Sequence, residues 1–273
     1  REENTVANNA APYVYQFWTQ FRRKFINWSS LRKISSLVIF LILWTILVRI
    51  FEYFHGIPTP RDVYLAIFEL PGAAVLRHIY LSVLRVLGGF LLGLLIGFPT
   101  GVAIGYSRTL KNLLFPAFEL VRPVPPIAWI PMTVLFFITF EAQAVFLVFY
   151  GAFFPIVYNT MGGISEVDIR LPRAAMSFGL GKGKMLWKVI LPAAMPQVFT
   201  GMKLAMGIAW ILVVAAEMLS NNGGMGYYVW YNHTIMDYPH VFLAMGIIGV
   251  CGACSSVAVG LIGNYFTRWR RIF

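Results

Sequence analysis

The sequence predicts an all-α membrane protein with about six spanning helices, and three observations predict it. The first is composition: of 273 residues, 59% are hydrophobic and 12% charged, with a mean hydropathy of +0.71. That charged share is about half of what an ordinary globular domain carries, so the chain lacks the polar surface needed to face water. The second is a series of six apolar runs long enough to span a bilayer, since about 20 residues at 1.5 Å each cross a roughly 30 Å hydrocarbon core. The third is the placement of charge. The 22 Lys and Arg against 11 Asp and Glu leave +11, and the cations cluster between the apolar runs, which favours a membrane over nucleic acid.

Residues 1–33 read as a cytoplasmic N-terminal segment. Within it, 13–28 mixes Tyr, Phe and Trp with Arg22, Arg23 and Lys24, the pattern of an amphipathic helix lying on an anionic lipid face; an unstructured tail is the alternative. No cleavable signal peptide is expected, because some thirty polar or amphipathic residues precede the first apolar run and no small-residue cleavage site follows it. The transmembrane part is assigned to 34–267, with spans at 34–54, 81–106, 113–140, 142–163, 197–220 and 241–267. In the first, Arg49 and Glu52 stand one turn apart near the far end, where they can pair or reach headgroups. In the second, Gly89, Gly93, Gly97, Gly101 and Gly105 recur every four residues and form one smooth face for close helix packing, and Pro99 suggests a kink. The third is interrupted by Pro123, Pro125, Pro126 and Pro131. A basic tail, 268–273, closes the chain.

Charge asymmetry orients the spans. Arg22, Arg23, Lys24, Arg32 and Lys33 precede the first span and Arg268, Arg270 and Arg271 follow the last, so six crossings put both termini in the cytoplasm. The turn 108–111 and the segment with Arg170, Arg173, Lys182, Lys184 and Lys188 fall on the same side, whereas 221–240 has no Lys or Arg. Arg61 and Arg77 fit less well.

Catalysis finds little support. Cys251 and Cys254 lie in the charge-free run 241–267 without a second Cys pair or a His on the same face, and read as packed thiols, not a redox or metal site. His55, His78, His233 and His240 fall in outer loops or near span ends with no ligand spacing, so no metal site is expected. There is no Walker-type phosphate loop. The charges read as lying inside spans are Lys203 and Glu217, fourteen residues or roughly 21 Å apart and too distant to act on one bond. Lys203 is expected to snorkel to the inner surface. Glu217, near the outer end of its span, is expected to accept backbone hydrogen bonds from the turn at 221–226, with a place on a translocation path as the other reading.

The connection 164–196 is long, basic and punctuated by Pro and Gly. Leu171, Ala174, Ala175 and Phe178 at i, i+3, i+4 and i+7 predict a short amphipathic helix with Pro172 in its first turn and Gly179 at its end. Leu186, Val189 and Ile190 repeat the pattern in a second short helix. Two such helices form a knob that a partner's groove could receive; a helix resting on lipid is the alternative. For pore lining, the Pro-interrupted third span is preferred, because freed carbonyls are tolerated at membrane depth only against protein or a water-filled cavity. Trp129, Thr133, Thr200 and Trp210 are candidates to face such a cavity, with core packing an equal reading for each.

Ala174, Ala175, Gly179, Val189, Leu191 and Pro192 stand in the spacing A-A-x3-G-x9-V-x-L-P, which resembles the E-A-A loop of permease subunits in bacterial ABC importers. Arg173 occupies the position that is Glu in the family. The stretch from Val121 and Arg122 through Pro123, Pro125, Pro126, Ala128 and Trp129 to Pro131 is similar to a stretch of nitrate, sulfonate, taurine and bicarbonate importer permeases. Ala209–Trp210, Val214 to Met218 and Gly224 to Tyr227 resemble the same branch. The resemblance implies a translocation path for a small solute, a small anion for this branch, and coupling to ATPase subunits through Leu171, Pro172, Arg173, Ala174, Ala175, Phe178, Gly179, Leu191 and Pro192. It further implies two ATP-binding subunits that hold ATP and Mg, no cofactor on this chain, an extracytoplasmic solute-binding protein, a second copy of the chain, and a multi-pass place in the bacterial inner membrane. Permeases of the methionine or phosphonate branch, and less so secondary transporters, are the alternatives; the latter usually need charge networks inside the membrane or internal repeats, which the sequence does not suggest.

Overall fold

The computed structural model describes residues 28–50 and 56–269, so the amphipathic segment expected at 13–28 lies outside the described residues except for Trp28. The chain divides into two compact units, Arg1–Tyr64 and Leu65–Phe273. In the first, helix α1 (Trp28–Ile50) carries the apolar stretch Val38–Ile50. Helix α2 (Pro60–Ala66) opens on a reciprocal cap: Thr59 N and Oγ1 donate to Asp62 Oδ2, and Asp62 N donates back to Thr59 Oγ1.

The second unit is built on α3 (Gly72–Tyr106), α4 (Arg108–Val121), a 3₁₀ turn (Pro126–Trp129), α5 (Ile130–Phe136) and α6 (Phe140–Ser165). There follow α7 (Arg170–Ser177), α8 (Lys182–Met185), a π turn (Leu186–Ile190), α9 (Leu191–Met218), α10 (Met225–Thr234) and α11 (Tyr238–Phe266). Among the described residues, α3, α6, α11 and the continuous helix Gly183–Met218 are each long and apolar enough to cross a membrane. The bent pair of α4 and 126–136 makes a fifth crossing if counted as one span. Six were expected, and the first of them, 34–54, is described only as far as Ile50.

The core lies where α6 runs between α3 and α9. The glycine face of α3 packs on α6 with no room for a side chain: a Cβ at Gly89 would stand 2.5 Å from Val148 Cβ, and one at Gly101 2.7 Å from Thr160 Cβ. Across the other interface Gly201 abuts Asn159 in the same way, at 2.5 Å. In lipid, where apolar surface gains nothing by leaving the solvent, such backbone approach supplies the dispersion contacts that hold helices together. On the opposite side of α3, Leu84, Leu87, Leu91 and Leu95 are all exposed, a stripe suited to acyl chains. Between the two interfaces Val148, Ala152, Ile156, Val198 and Ala205 are wholly buried.

Two sequence expectations change. The third run is not one interrupted helix but two segments bent by 81°, because Pro123, Pro125 and Pro126 lack the N–H groups that would continue the ladder and restrict the residues before them. The second short helix expected around Leu186–Ile190 is not separate. It is a π turn leading directly into α9, so Leu191 and Pro192 belong to the start of a membrane helix and the connection shortens to 166–181.

Candidate functional site

In the 166–181 connection, α7 forms as the spacing predicts. Asp168 accepts from Arg170 N at 2.9 Å and from the Arg170 side chain, which holds the Asp168 carboxyl below its ordinary range. Pro172 costs no hydrogen bond in the first turn. The helix ends in a Schellman arrangement: Leu180 N donates to Ala175 O, Gly179 N donates to Met176 O, and Gly179 takes φ +77°, a region glycine enters without strain.

The outward face differs from the expected one. Pro172 and Ala175 turn inward, Ala175 to 7% exposure, where α7 packs on the π turn. Leu191 is also buried, against Ile164, Ile190 and Ala194, and Pro192 is half-buried. These residues are therefore committed within this chain, as small or rigid side chains that let two backbones meet. What faces outward is Leu171, Arg173, Ala174, Met176, Phe178 and Gly179, with Phe178 84% exposed. Trp187, in the π turn, is exposed as well and was missed by the sequence reading, which followed only the apolar repeat of Leu186, Val189 and Ile190.

The proline-rich break opens a cleft of about 550 Å³ between the 122–127 segment, α6 and α9. Arg122, Pro125, Pro126 and Ile127 line one wall, and Tyr150, Tyr158 and Asn159 another. The carbonyl of Val121, at the end of α4, accepts from Tyr150 Oη at 3.2 Å and from Val124 N. The Arg122 guanidinium lies over the Tyr158 ring, 4.5 Å from its centroid.

The five candidates for a path do not share this cleft. Thr133 is buried and donates to Ile130 O; Trp210 is buried and donates from Nε1 to Ser255 Oγ at 2.8 Å, tying α9 to α11. Trp129 packs at a tilt against the Tyr150 ring, with its indole N–H buried and without a partner among the described residues. Thr200 does face a cleft, but a different one of about 360 Å³ beside the C-terminal end of α11, shared with Lys203 and Asn264.

Glu217, the fifth, is fully enclosed, so it faces no cavity. It is the hub of a buried network that the sequence reading missed, because Arg85 was not counted among the charges inside spans. Arg85, 1% exposed, donates Nε and Nη2 to Glu141, Nη1 to Glu217 Oε1 at 2.8 Å, Nη1 to Gly223 O and Nη2 to Asn222 O. Ser82 Oγ donates to Glu217 and accepts from Met225 N; Gly226 N donates to Glu217 Oε2 at 2.9 Å, and Gly224 N to His78 Nδ1. The 220–226 turn needs its glycines here: Gly223 and Gly224 have φ of +75° and +112°, and a Cβ at Gly224 would stand within 2.5 Å of the Glu217 carboxylate. Buried charges of opposite sign with their donors and acceptors matched can lock three segments, α3, α9 and the turn, together. Among the described residues no cluster of three His, Cys, Asp or Glu could hold a metal.

The family described as binding-protein-dependent transport system inner membrane component matches residues 89–272. A putative ABC transporter permease protein of Methanocaldococcus jannaschii is 38% identical over 200 residues, 73% of this chain and 75% of the relative. A nitrate import permease of Leptolyngbya laminosa is 34% identical over 183 residues, 67% and 66% of the two chains. Further relatives are named as permeases for taurine, aliphatic sulfonates and bicarbonate. A chain of an inward-facing MetNI methionine ABC transporter superposes with a TM-score of 0.59 at 20% identity, covering 71% of this chain and 96% of that one, a likeness of fold.

Proposed function

Because the chain belongs to the binding-protein-dependent transport system inner membrane components, the membrane permease subunits of ABC importers, we propose that it carries a small anion such as nitrate, bicarbonate or a sulfonate. The observation that carries this reading is that the named relatives' cargoes, nitrate, bicarbonate, taurine and alkanesulfonates, all bear an anionic group. An importer of this family works with ATP-binding subunits and a solute-binding protein. In this reading two copies of the chain enclose the path, ATP and Mg stay on the two partner ATPases, and the exposed apolar residues of α7 dock on those partners. Uptake by the complex reconstituted in vesicles with its binding protein tests the cargo. Nitrate, bicarbonate or taurine should accumulate on ATP addition; accumulation of methionine, the cargo of the second reading, with none of those anions would overturn it.

Both termini and the 166–181 connection are proposed to be cytoplasmic, on the strength of the cations that flank them. A cysteine at Ser165, in a chain freed of Cys251 and Cys254, should resist an impermeant thiol reagent added to intact cells and react once the membrane is opened. Ready reaction in intact cells would reverse the orientation.

A further inference from the structure

Arg122 is 57% exposed at a depth where an exposed cation needs a reason. Its neighbours Tyr150 and Tyr158 lie 10 and 18 residues into the 26-residue α6, roughly 15 and 27 Å from that helix's outer end. Both positions fall within the span of a hydrocarbon layer about 30 Å thick. A guanidinium with more than half its surface open at such a depth does not rest among acyl chains; it faces protein or water. The Pro-rich backbone beside it is tolerated under the same condition.

We propose that Arg122 faces a water-filled path and is the cation by which this permease recognises a small oxyanion in transit, an inference that rests on the anion cargo proposed above. Its planar fork presents parallel N–H donors matched to two oxygens of nitrate, bicarbonate or a sulfonate. The Tyr158 ring beneath holds the guanidinium in place by cation–π attraction. Asn159 stands in the same cleft; its Nδ2 donates to Pro155 O, which leaves the second N–H of that amide for a ligand. The cleft of about 550 Å³ has room for an ion with part of its water.

Glu119 sets the strength of the site. Its carboxylate lies 3.8 Å from Arg122, in ion-pair range but beyond a hydrogen bond, and accepts from Tyr158 Oη at 2.7 Å. It therefore neutralises the arginine from a distance without occupying its donors, and an arriving anion competes with it. Conduction needs such a compromise, binding enough to enter and weakly enough to leave. A bare arginine would hold the anion too long.

The test uses the permease–ATPase complex without its binding protein, carrying Ile127→Cys as a reporter in the cleft and lacking Cys251 and Cys254. A small aqueous thiol reagent should modify Cys at 127, and nitrate, bicarbonate or taurine, whichever wild type transports, should slow the modification. Arg122→Gln should raise the half-protective anion concentration about tenfold or more, the loss expected for a charge-assisted hydrogen-bond pair. Arg122→Lys should recover part of it, and Glu119→Gln should lower it below wild type. At saturating binding protein, Arg122→Gln should also slow anion uptake while retaining its ATPase subunits. Unchanged protection in Arg122→Gln, for an anion that wild type carries, overturns this inference and leaves the anion reading standing. A wild-type complex that imports methionine and none of the three anions overturns both. A thiol at 127 that no aqueous reagent reaches removes the water-filled path, whatever the Arg122 variants do.

Discussion

Arg85→Met should destabilise the permease by about 3–5 kcal/mol, the cost of leaving one member of a buried ion pair without the other. In this chain the orphaned group would be Glu217, fully enclosed beneath the 220–226 turn. The loss would not stop at one pair. Arg85 also satisfies the carbonyls of Asn222 and Gly223 and ties Glu141 to the same cluster, so the turn loses its anchor to α3 as the carboxylate loses its counter-charge. Arg85→Lys should fall between the two, because an ammonium keeps the charge but brings three donors where the guanidinium uses its five-donor fork to reach three segments at once. Pairing Arg85→Met with Glu217→Gln should restore part of the stability by removing the bare charge. Thermal unfolding of the purified complex in detergent measures all three. A melting curve for Arg85→Met superimposable on wild type would show that this network holds nothing together.

That cluster marks where the sequence stops being legible. Arg85 is the lone cation near the start of an apolar run, a place where charges commonly reach for headgroups, and its partners lie 56 and 132 residues further on. Nothing in local spacing joins Ser82, Arg85, Glu141 and Glu217; the packing of α3, α6 and α9 does. The glycine ladder from Gly89 to Gly105 was readable because its period is the helix's own, and close packing is what a smooth face does in lipid. The proline break was readable as a break but not as an 81° bend with a cleft behind it. The 166–181 connection divided the same way. Pro172 and Gly179 announced a short helix with a left-handed stop, yet which face turned outward depended on where the π turn would lie. Ala174 and Ala175 therefore separated, one exposed and one buried.

That separation decides how coupling should be tested. Ala175→Asp is a poor probe, since at 7% exposure it would place an unpaired carboxylate inside this chain and disturb folding before any partner is met. Phe178→Asp is the sharp one and should abolish uptake. Phe178 is 84% exposed at the end of α7, so a carboxylate there stays solvated in the free permease and insertion and folding should survive. If α7 docks in a groove of the ATPase subunit, the same change removes an aromatic anchor and carries a charge into an apolar contact. Truncating such an anchor commonly costs about 2 kcal/mol or more, roughly thirtyfold in affinity, and the buried charge adds to it. Retention of the ATPase subunit on purified permease should fall with uptake. Lys184→Gln, at another exposed position beyond the end of α7, should change both little. Met176→Asp, beside Phe178 on the outward face, should follow Phe178→Asp, because Met176 is half exposed while its backbone closes the helix with Gly179. Wild-type uptake and wild-type ATPase retention in both aspartate variants would mean that the outward face of α7 meets water alone, and the coupling contact would have to be sought elsewhere on the inner surface.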